Sequence, residues 1–533
     1  MTKRKTILTG APIWAGADGI RSDLSVGLVG DRIYRIGEHE SVQMALGSDT
    51  PVRQIPGAIL MPGFIDAHCH LLSLGEHLST LDLTRCSSVD EMKERLAQRA
   101  AALPQGEWIT GRGWDQNGFA EGRYPTRWDL DDAAPHHPVF LRRVCGHAAV
   151  ANTRALQWAG IDETFSDSEA GYLERDDRGH PIGVLHEAAM RPVQAVIPEP
   201  DQRQKETFLQ TAIRHCWANG LTSVQTNESS SDFWATWRAY RNVCAGDFPF
   251  RAYVDIPPDV AQAVRAQGFV TGSGDRWVRL GATKIFADGS LGARSAALSA
   301  SYADTPSHRG VLLEPPNVLS EMMHDHHEAG MQLAVHAIGD RALDVVLDGI
   351  DAAIGRNPRP DPRHRIIHCQ ITRDAQFDRM AASGVIGSIQ PIFVATDLNW
   401  AESRVGPALI RSSYAWKKML EAGIPCAGGS DAPVEPINPL LGVWAAVCRQ
   451  NDAGEPVGGW LPSERLTLQE ALELFTLGSA QSEFSEGEKG IIREGALADL
   501  VVLDRDPFSV SNDDLRNLRV VETWVGGKRV WNQ

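Results

Sequence analysis

Between residues 280 and 427 the chain repeats one pattern, a short apolar run followed by a longer stretch of helical character. The runs are Leu280–Phe286, Gln332–His336, Arg365–His368, Val385–Ile389 and Ile424–Ala427. Strands alternating with helices fold as parallel βα units, because two parallel neighbours need a crossover long enough to hold a helix. At 533 residues the chain is too long for one ordinary core, yet it accommodates an α/β (β/α)8 barrel with a second domain.

In such a barrel the chemistry collects where strands end, at the C-terminal face. His336 and His368 each close one of the runs. Upstream, Phe64-Ile-Asp-Ala-His-Cys-His70 follows the apolar run Ala58–Met61 and a Pro-Gly step. Residues i and i+2 of a strand share a face, so His68 and His70 project together while Cys69 turns away. Lys284 belongs to the Leu280–Phe286 run, and Asp431 follows the last run in Gly428-Gly-Ser-Asp-Ala-Pro433. Each residue alone has an ordinary structural explanation. Four histidines, a lysine and an aspartate at the ends of successive βα units do not share one.

The residue types make chemical sense together. Neutral imidazoles and a carboxylate are ligands for Zn²⁺ and related divalent ions. Such an ion lowers the pKa of bound water from near 16 to roughly 7, giving hydroxide at neutral pH. Asp431 could ligate, accept the proton of the attacking water and deliver it to the leaving group. An ammonium would repel a metal, so Lys284 is a surprising member that becomes sensible if CO2 converts it to a carbamate, whose two oxygens can bridge two ions. With Lys284 unmodified, a single ion is the simpler outcome.

The two ends of the chain look alike. Val26–Ile36 reads as two short strands around a Gly-Asp turn, and Val520–Trp531 as a hairpin turning at Gly526-Gly527, preceded by the strand-like Ala498–Asp504. Isolated hairpins are marginal, so residues 1–60 and 485–533 are expected to form one small split β-sandwich domain. Residues 61–484 then form the barrel. Within it, roughly 75–200 is rich in Pro, Gly, Trp and Asp and is expected to be an insertion covering the site.

A net charge of −16 leaves no basic stripe for phosphates and excludes a nucleic-acid partner. Eight scattered cysteines without a C-x-x-C pair suit reduced thiols. No apolar run approaches membrane-span length, and the basic Met1–Thr6 precedes too short an apolar stretch for a signal segment. The expectation is a cytoplasmic protein, with no membrane partner, acting on a small molecule. No G-x-S-x-G elbow, G-x-G-x-x-G fingerprint or P-loop stands out.

The first-strand H-x-H and the order H-x-H, Lys, His, His, Asp resemble the metal site of the amidohydrolase superfamily. Lys284-Ile-Phe-Ala-Asp-Gly-Ser-Leu-Gly-Ala-Arg-Ser295, His336-Ala-Ile-Gly-Asp-Arg-Ala342 and Gly429-Ser-Asp-Ala-Pro-Val434 resemble the branch of YtcJ-like proteins and N-substituted formamide deformylases. Gly146-His-Ala148 with Asn152 and Ala155-Leu156 resembles that branch too, although Cys145 stands where its motif carries an aspartate. The resemblance implies a distorted TIM barrel with one or two divalent metal ions, Zn²⁺ foremost. It implies that His68, His70 and Asp431 bind one ion, that Lys284 bridges as a carbamate, and that His336 and His368 bind the other. The activity implied is hydrolysis of a C–N bond in an amide, formamide or cyclic amide, with a homodimer expected by analogy.

His147 is a catalytic candidate, able to polarise the substrate carbonyl beside the proton shuttle Asp431. Trp114, Arg294 and Gln390 are candidate substrate contacts. His324-Asp-His-His-Glu328 is expected on a solvated helix face, His136-His137 at the surface, and Cys69 and Cys369 in packing. Ester or lactone hydrolysis, deamination and decarboxylation remain alternatives on the same site, because fold alone does not select a reaction. A catalytically silent barrel is the remaining alternative, and it would be expected to lose ligands that this chain keeps.

Overall fold

The computed structural model describes residues 4–16, 19–145, 147–167, 171–228 and 232–533. Eight parallel strands follow one another around the barrel in chain order. They are β1 (Phe64–Cys69), β2 (Leu221–Asn227), β3 (Arg251–Ile256), β4 (Val278–Phe286), β5 (Leu333–Ala337), β6 (Arg365–His368), β7 (Ile386–Ile389) and β8 (Cys426–Gly428). Every adjacent pair from β1 to β8 is a parallel ladder.

Among the described residues no ladder joins β8 back to β1. Side chains and loop amides complete the circle instead. Asp66 in β1 accepts from Ser430 N at 3.1 Å and Ser430 Oγ at 2.6 Å, and Asp431 N donates to His68 O at 2.7 Å. Burial pushes Asp66 up to about 7, against the lowering bonds from Ser430 and His68.

Charge fills part of the barrel interior. Arg365 in β6 grips both oxygens of Asp255 in β3 at 2.6 Å, and both side chains are shielded from solvent. Gln225 in β2 accepts from Arg365 Nη1 at 2.5 Å and donates to Ser479 O at 2.7 Å. Such a pair fixes which strands meet, because removing either partner strands a charge where water cannot reach it.

Strands from both chain ends share one sheet. Ile59–Pro62 pairs with Ile13–Trp14 on one side and antiparallel with Leu500–Leu503 on the other. Val520–Val525 and Lys528–Asn532 continue this six-stranded sheet. Their turn has φ 57° at Gly526 and 71° at Gly527, the doubly left-handed geometry of a tight hairpin that side chains resist. A four-stranded sheet containing Lys5–Thr9, Ser25–Val29 and Arg32–Gly37 stands beside it. Leu8, Val26 and Leu28 from the smaller sheet share a core with Leu60, Val502 and Trp524 from the larger.

Residues Gly75–Phe208 form a separate compact unit. It has a six-stranded sheet of its own and two apolar cores, one around Trp114, Leu130 and Leu141 and one around Leu156, Leu185 and Val193.

Two histidine expectations are overturned. The run His324–Glu328 lies on the helix Pro316–Glu328, but His326 and His327 are buried rather than solvated. His327 Nδ1 lies 2.8 Å from His364 Nε2 and its Nε2 lies 2.7 Å from Asn357 O, so this face packs inward. His137 is also buried, held through Nδ1 at 2.8 Å from Glu107 O, whereas His136 is exposed. Among the described residues all eight cysteines are free, and Cys69 and Cys369 are buried. No helix among the described residues is long and apolar enough to cross a membrane.

Candidate metal centre

His68 lies within β1 and His70 just after it, Lys284 in β4, His336 in β5 and His368 at the end of β6. Asp431 follows β8. The backbone at His368 (φ 80°) and at Asp431 (φ 60°) is left-handed, a conformation non-glycine residues adopt at a cost of order 1 kcal/mol. Two functional candidates in this region mark where packing holds the chain against its preference.

The side chains converge. Asp431 Oδ1 is 3.2 Å from both His68 Nε2 and His70 Nε2. One ligand atom each from His68, His368 and Asp431 lie within 4.8 Å of one another. The His336 and His368 rings are 4.5 Å apart, and the His68 and His368 rings 5.4 Å. Gln390, immediately after β7, accepts at 2.7 Å from His368 Nδ1, which fixes that ring's orientation. Sequence reasoning placed Gln390 against substrate, and the structure places it against a histidine.

Electrostatics prepare these groups for a cation. Burial, then the Lys284 charge, push His68 and His336 down to about 3, and burial holds His368 well below its ordinary range. All three are therefore neutral imidazoles at neutral pH, the form that ligates. Burial alone would raise Asp431, but His68, His70 and His368 outweigh it and keep the carboxylate ionised. Burial pushes Lys284 down to about 7. Its Nζ makes no hydrogen bond or ion pair among the described residues and lies 4.7 Å from the Phe286 ring centroid.

One orphaned atom tests whether an ion fits: Asn227 Oδ1 is buried without a partner at the end of β2, while Asn227 Nδ2 sits 2.9 Å from His68 Nδ1. A histidine ligating through Nε2 carries a proton on Nδ1 that needs an acceptor. Turning the Asn227 amide over supplies that acceptor and satisfies the orphaned oxygen, so the donor set fits a divalent ion.

Asn227 and Asp288 escaped the sequence reading. Asp288 accepts from the amides of Ala297, Ile338 and Gly339 at 2.8–3.0 Å, and its Oδ1 lies 3.4 Å from His336 Nε2. Burial pushes it up to about 7. It sits inside a motif read for Lys284, and only the fold brings it to His336.

The other candidates are placed as follows. Arg294 is held bidentately by Asp304 at 3.1 and 2.8 Å. Trp114 is fully buried in the core of the inserted unit and its indole N–H donates to Leu141 O at 2.9 Å. The substrate contact expected of Trp114 is thus replaced by packing. In the same unit the exposed His147 pairs through Nδ1 with Glu187 at 3.0 Å. Gly146 of its motif lies outside the described residues.

Comparisons with known proteins show the family and the fold. The profile described as "Amidohydrolase family" matches residues 56–531. The chain is 36% identical to "Putative amidohydrolase YtcJ" of Bacillus subtilis (strain 168), over 93% of this chain and 94% of that protein. It is 30% identical to the N-substituted formamide deformylase of Arthrobacter pascens, over 93% of each. The crystal structure of an uncharacterized metal-dependent hydrolase from Pyrococcus furiosus superposes with a TM-score of 0.78 at 29% identity, covering 95% of this chain and all of that one.

Proposed function

The chain belongs to the amidohydrolase family, and from that premise we propose that it hydrolyses a carbon–nitrogen bond in a small amide, formamide or cyclic amide. The coarser statement, a metal-dependent hydrolase, follows from the family and from the solved relative. The C–N bond is our reading, supported by the likeness to a formamide deformylase.

The observation that carries the proposal is the convergence of His68, His368 and Asp431 around a point flanked by His70, His336 and the unpartnered Lys284. His68, His70 and Asp431 would hold one ion, and His336 and His368 a second. The bound ion, zinc in this reading, would activate water at neutral pH and polarise a carbonyl. Asp431, ionised and beside two histidines, would take the proton from the attacking water and return it to the departing amine nitrogen.

Lys284 would complete the site as a carbamate. Its neutral amine would add to the carbon of CO2: an N–C bond forms, one C=O π bond opens onto oxygen, and the amine proton leaves to solvent. The product would carry one negative charge shared by two oxygens, each able to ligate a cation. A cytoplasmic location and a homodimer belong to the same proposal, tested by cell fractionation and light scattering.

Metal per chain by elemental analysis, with intact mass and turnover of N-substituted formamides and matched esters before and after chelation, tests the reading. Bound divalent metal, chelation-sensitive turnover and a preference for formamides support it. No metal even after reconstitution removes the hydrolase mechanism, and faster ester turnover removes the C–N assignment.

A further inference from the structure

The last residue of β4, Phe286, stands at the rim of the candidate metal centre. Lys284 and Phe286 lie two residues apart in this strand, so their side chains leave it on the same face, while the buried Ile285 between them leaves on the other. The Phe286 ring centroid is 4.7 Å from Lys284 Nζ. It is also 5.4 Å from the ring centroid of His336, its register partner in β5. A strand rises about 3.3 Å per residue, so Phe286 sits roughly 7 Å further along β4 than Lys284, at the C-terminal face.

Exposure by itself says little, because single apolar side chains on a protein surface are ordinary. Position is what matters here. Phe393 also lies beside the histidines, 6.1 Å from the His368 ring at an interplanar angle of 16°, and at 9% exposure it is closed off. Phe286 is 45% exposed although its ring neighbours, Lys284 and His336, both belong to the site. A molecule held at the histidines therefore lies within reach of an open apolar ring, and an apolar group laid on that ring leaves water together with it.

We propose that Phe286 determines specificity: its ring receives an apolar group carried by the nitrogen of the scissile bond. The inference rests on the C–N reading above. The carbonyl carbon of a formamide bears only hydrogen, so the nitrogen substituent is the part that extends from the histidines to the rim. A substituent ending in a hydroxyl gains less, because the hydroxyl gives up water and finds no partner on the ring.

Steady-state kinetics of the metal-loaded enzyme on N-butylformamide and N-(hydroxypropyl)formamide, which differ by a terminal methyl against a hydroxyl, give the first readout. kcat/KM should favour the butyl compound by about tenfold, chiefly through KM. Phe286→Ala should bring the ratio toward parity, and Phe286→Leu, which keeps an apolar surface, should retain most of it. If the ring only shields Lys284, Phe286→Ala lowers both substrates alike and leaves the ratio standing, which overturns the proposal.

Binding separates this inference from the C–N reading. N-Butyl-N-hydroxyformamide and its hydroxypropyl counterpart chelate a metal ion through two oxygens and require no bond to break. Isothermal titration calorimetry of the metal-loaded protein should show the butyl compound tighter by about tenfold, with the difference lost in Phe286→Ala. That pattern without turnover of either formamide removes the C–N reading and retains Phe286 as the selector of an apolar group. Equal affinities, a preference that survives Phe286→Ala, or no binding of either compound overturns the proposal.

Discussion

Asp431 meets His68 twice, donating its backbone amide to His68 O at 2.7 Å and placing Oδ1 3.2 Å from His68 Nε2. The contact that closes the barrel between β8 and β1 is also the contact that assembles the candidate metal centre.

Asp431→Asn keeps the backbone contact but removes the proposed base. Turnover should fall at least about a hundredfold while the melting temperature changes little, as steady-state kinetics and calorimetry would show. Gly429→Ala should act through the seam instead. A Cβ there would lie 2.6 Å from His68 N, so the strands must part, and metal content should drop together with activity. A Gly429→Ala enzyme with full metal occupancy would separate the seam from the site.

Asn227→Ala removes the amide that, turned over, would offer His68 Nδ1 an acceptor. Metal affinity, read by competition with a chromophoric chelator, should fall about 10–100-fold. Asn227→Asp, which keeps an acceptor at that position, should retain most of it. Equal affinity in both variants would make Asn227 a packing residue.

Asp255→Ala leaves Arg365 charged and unpaired inside the barrel. Denaturant unfolding should show a loss of about 3–5 kcal/mol, far above the effect of removing an exposed ion pair such as Arg356–Glu321.

Acid should weaken the fold through the buried helix face. Burial, then Arg265 on the neighbouring helix, push His326 from 6.5 down to about 4, with Asp325 opposing. In that window the unfolded chain binds a proton that the folded chain refuses, so stability is full above about pH 6.5 and declines toward pH 4. His326→Phe should flatten this decline by roughly 1–3 kcal/mol in denaturant melts across the range. An unchanged slope would assign the acid sensitivity to other groups.

The six barrel strands read from sequence were those whose apolar runs stand out against polar surroundings. The two that escaped, Leu221–Asn227 and Arg251–Ile256, carry the polar interior. Ser223, Gln225, Asp255 and Arg251 bond across the barrel or to its neighbours, so their strands lack the continuous hydrophobicity usual for buried parallel strands. The histidines that converge at the candidate metal centre were legible because strand ends are marked by chemistry as well as pattern. Asn227 was not, because its strand was not. The helix Pro316–Glu328 misled for a related reason: histidine is polar in composition, yet here His326 and His327 lie on the packed face.

Ile59–Pro62 draws its two neighbours from opposite ends of the chain, Ile13–Trp14 and Leu500–Leu503. During synthesis the first neighbour is available at once, but the second leaves the ribosome only after every barrel strand has been made. Until then the nascent protein carries a buried-type strand with one bare edge, the kind of surface that chaperones engage and that pairs promiscuously with other chains. Completion of this sheet therefore waits on a strand that is made only after the whole barrel.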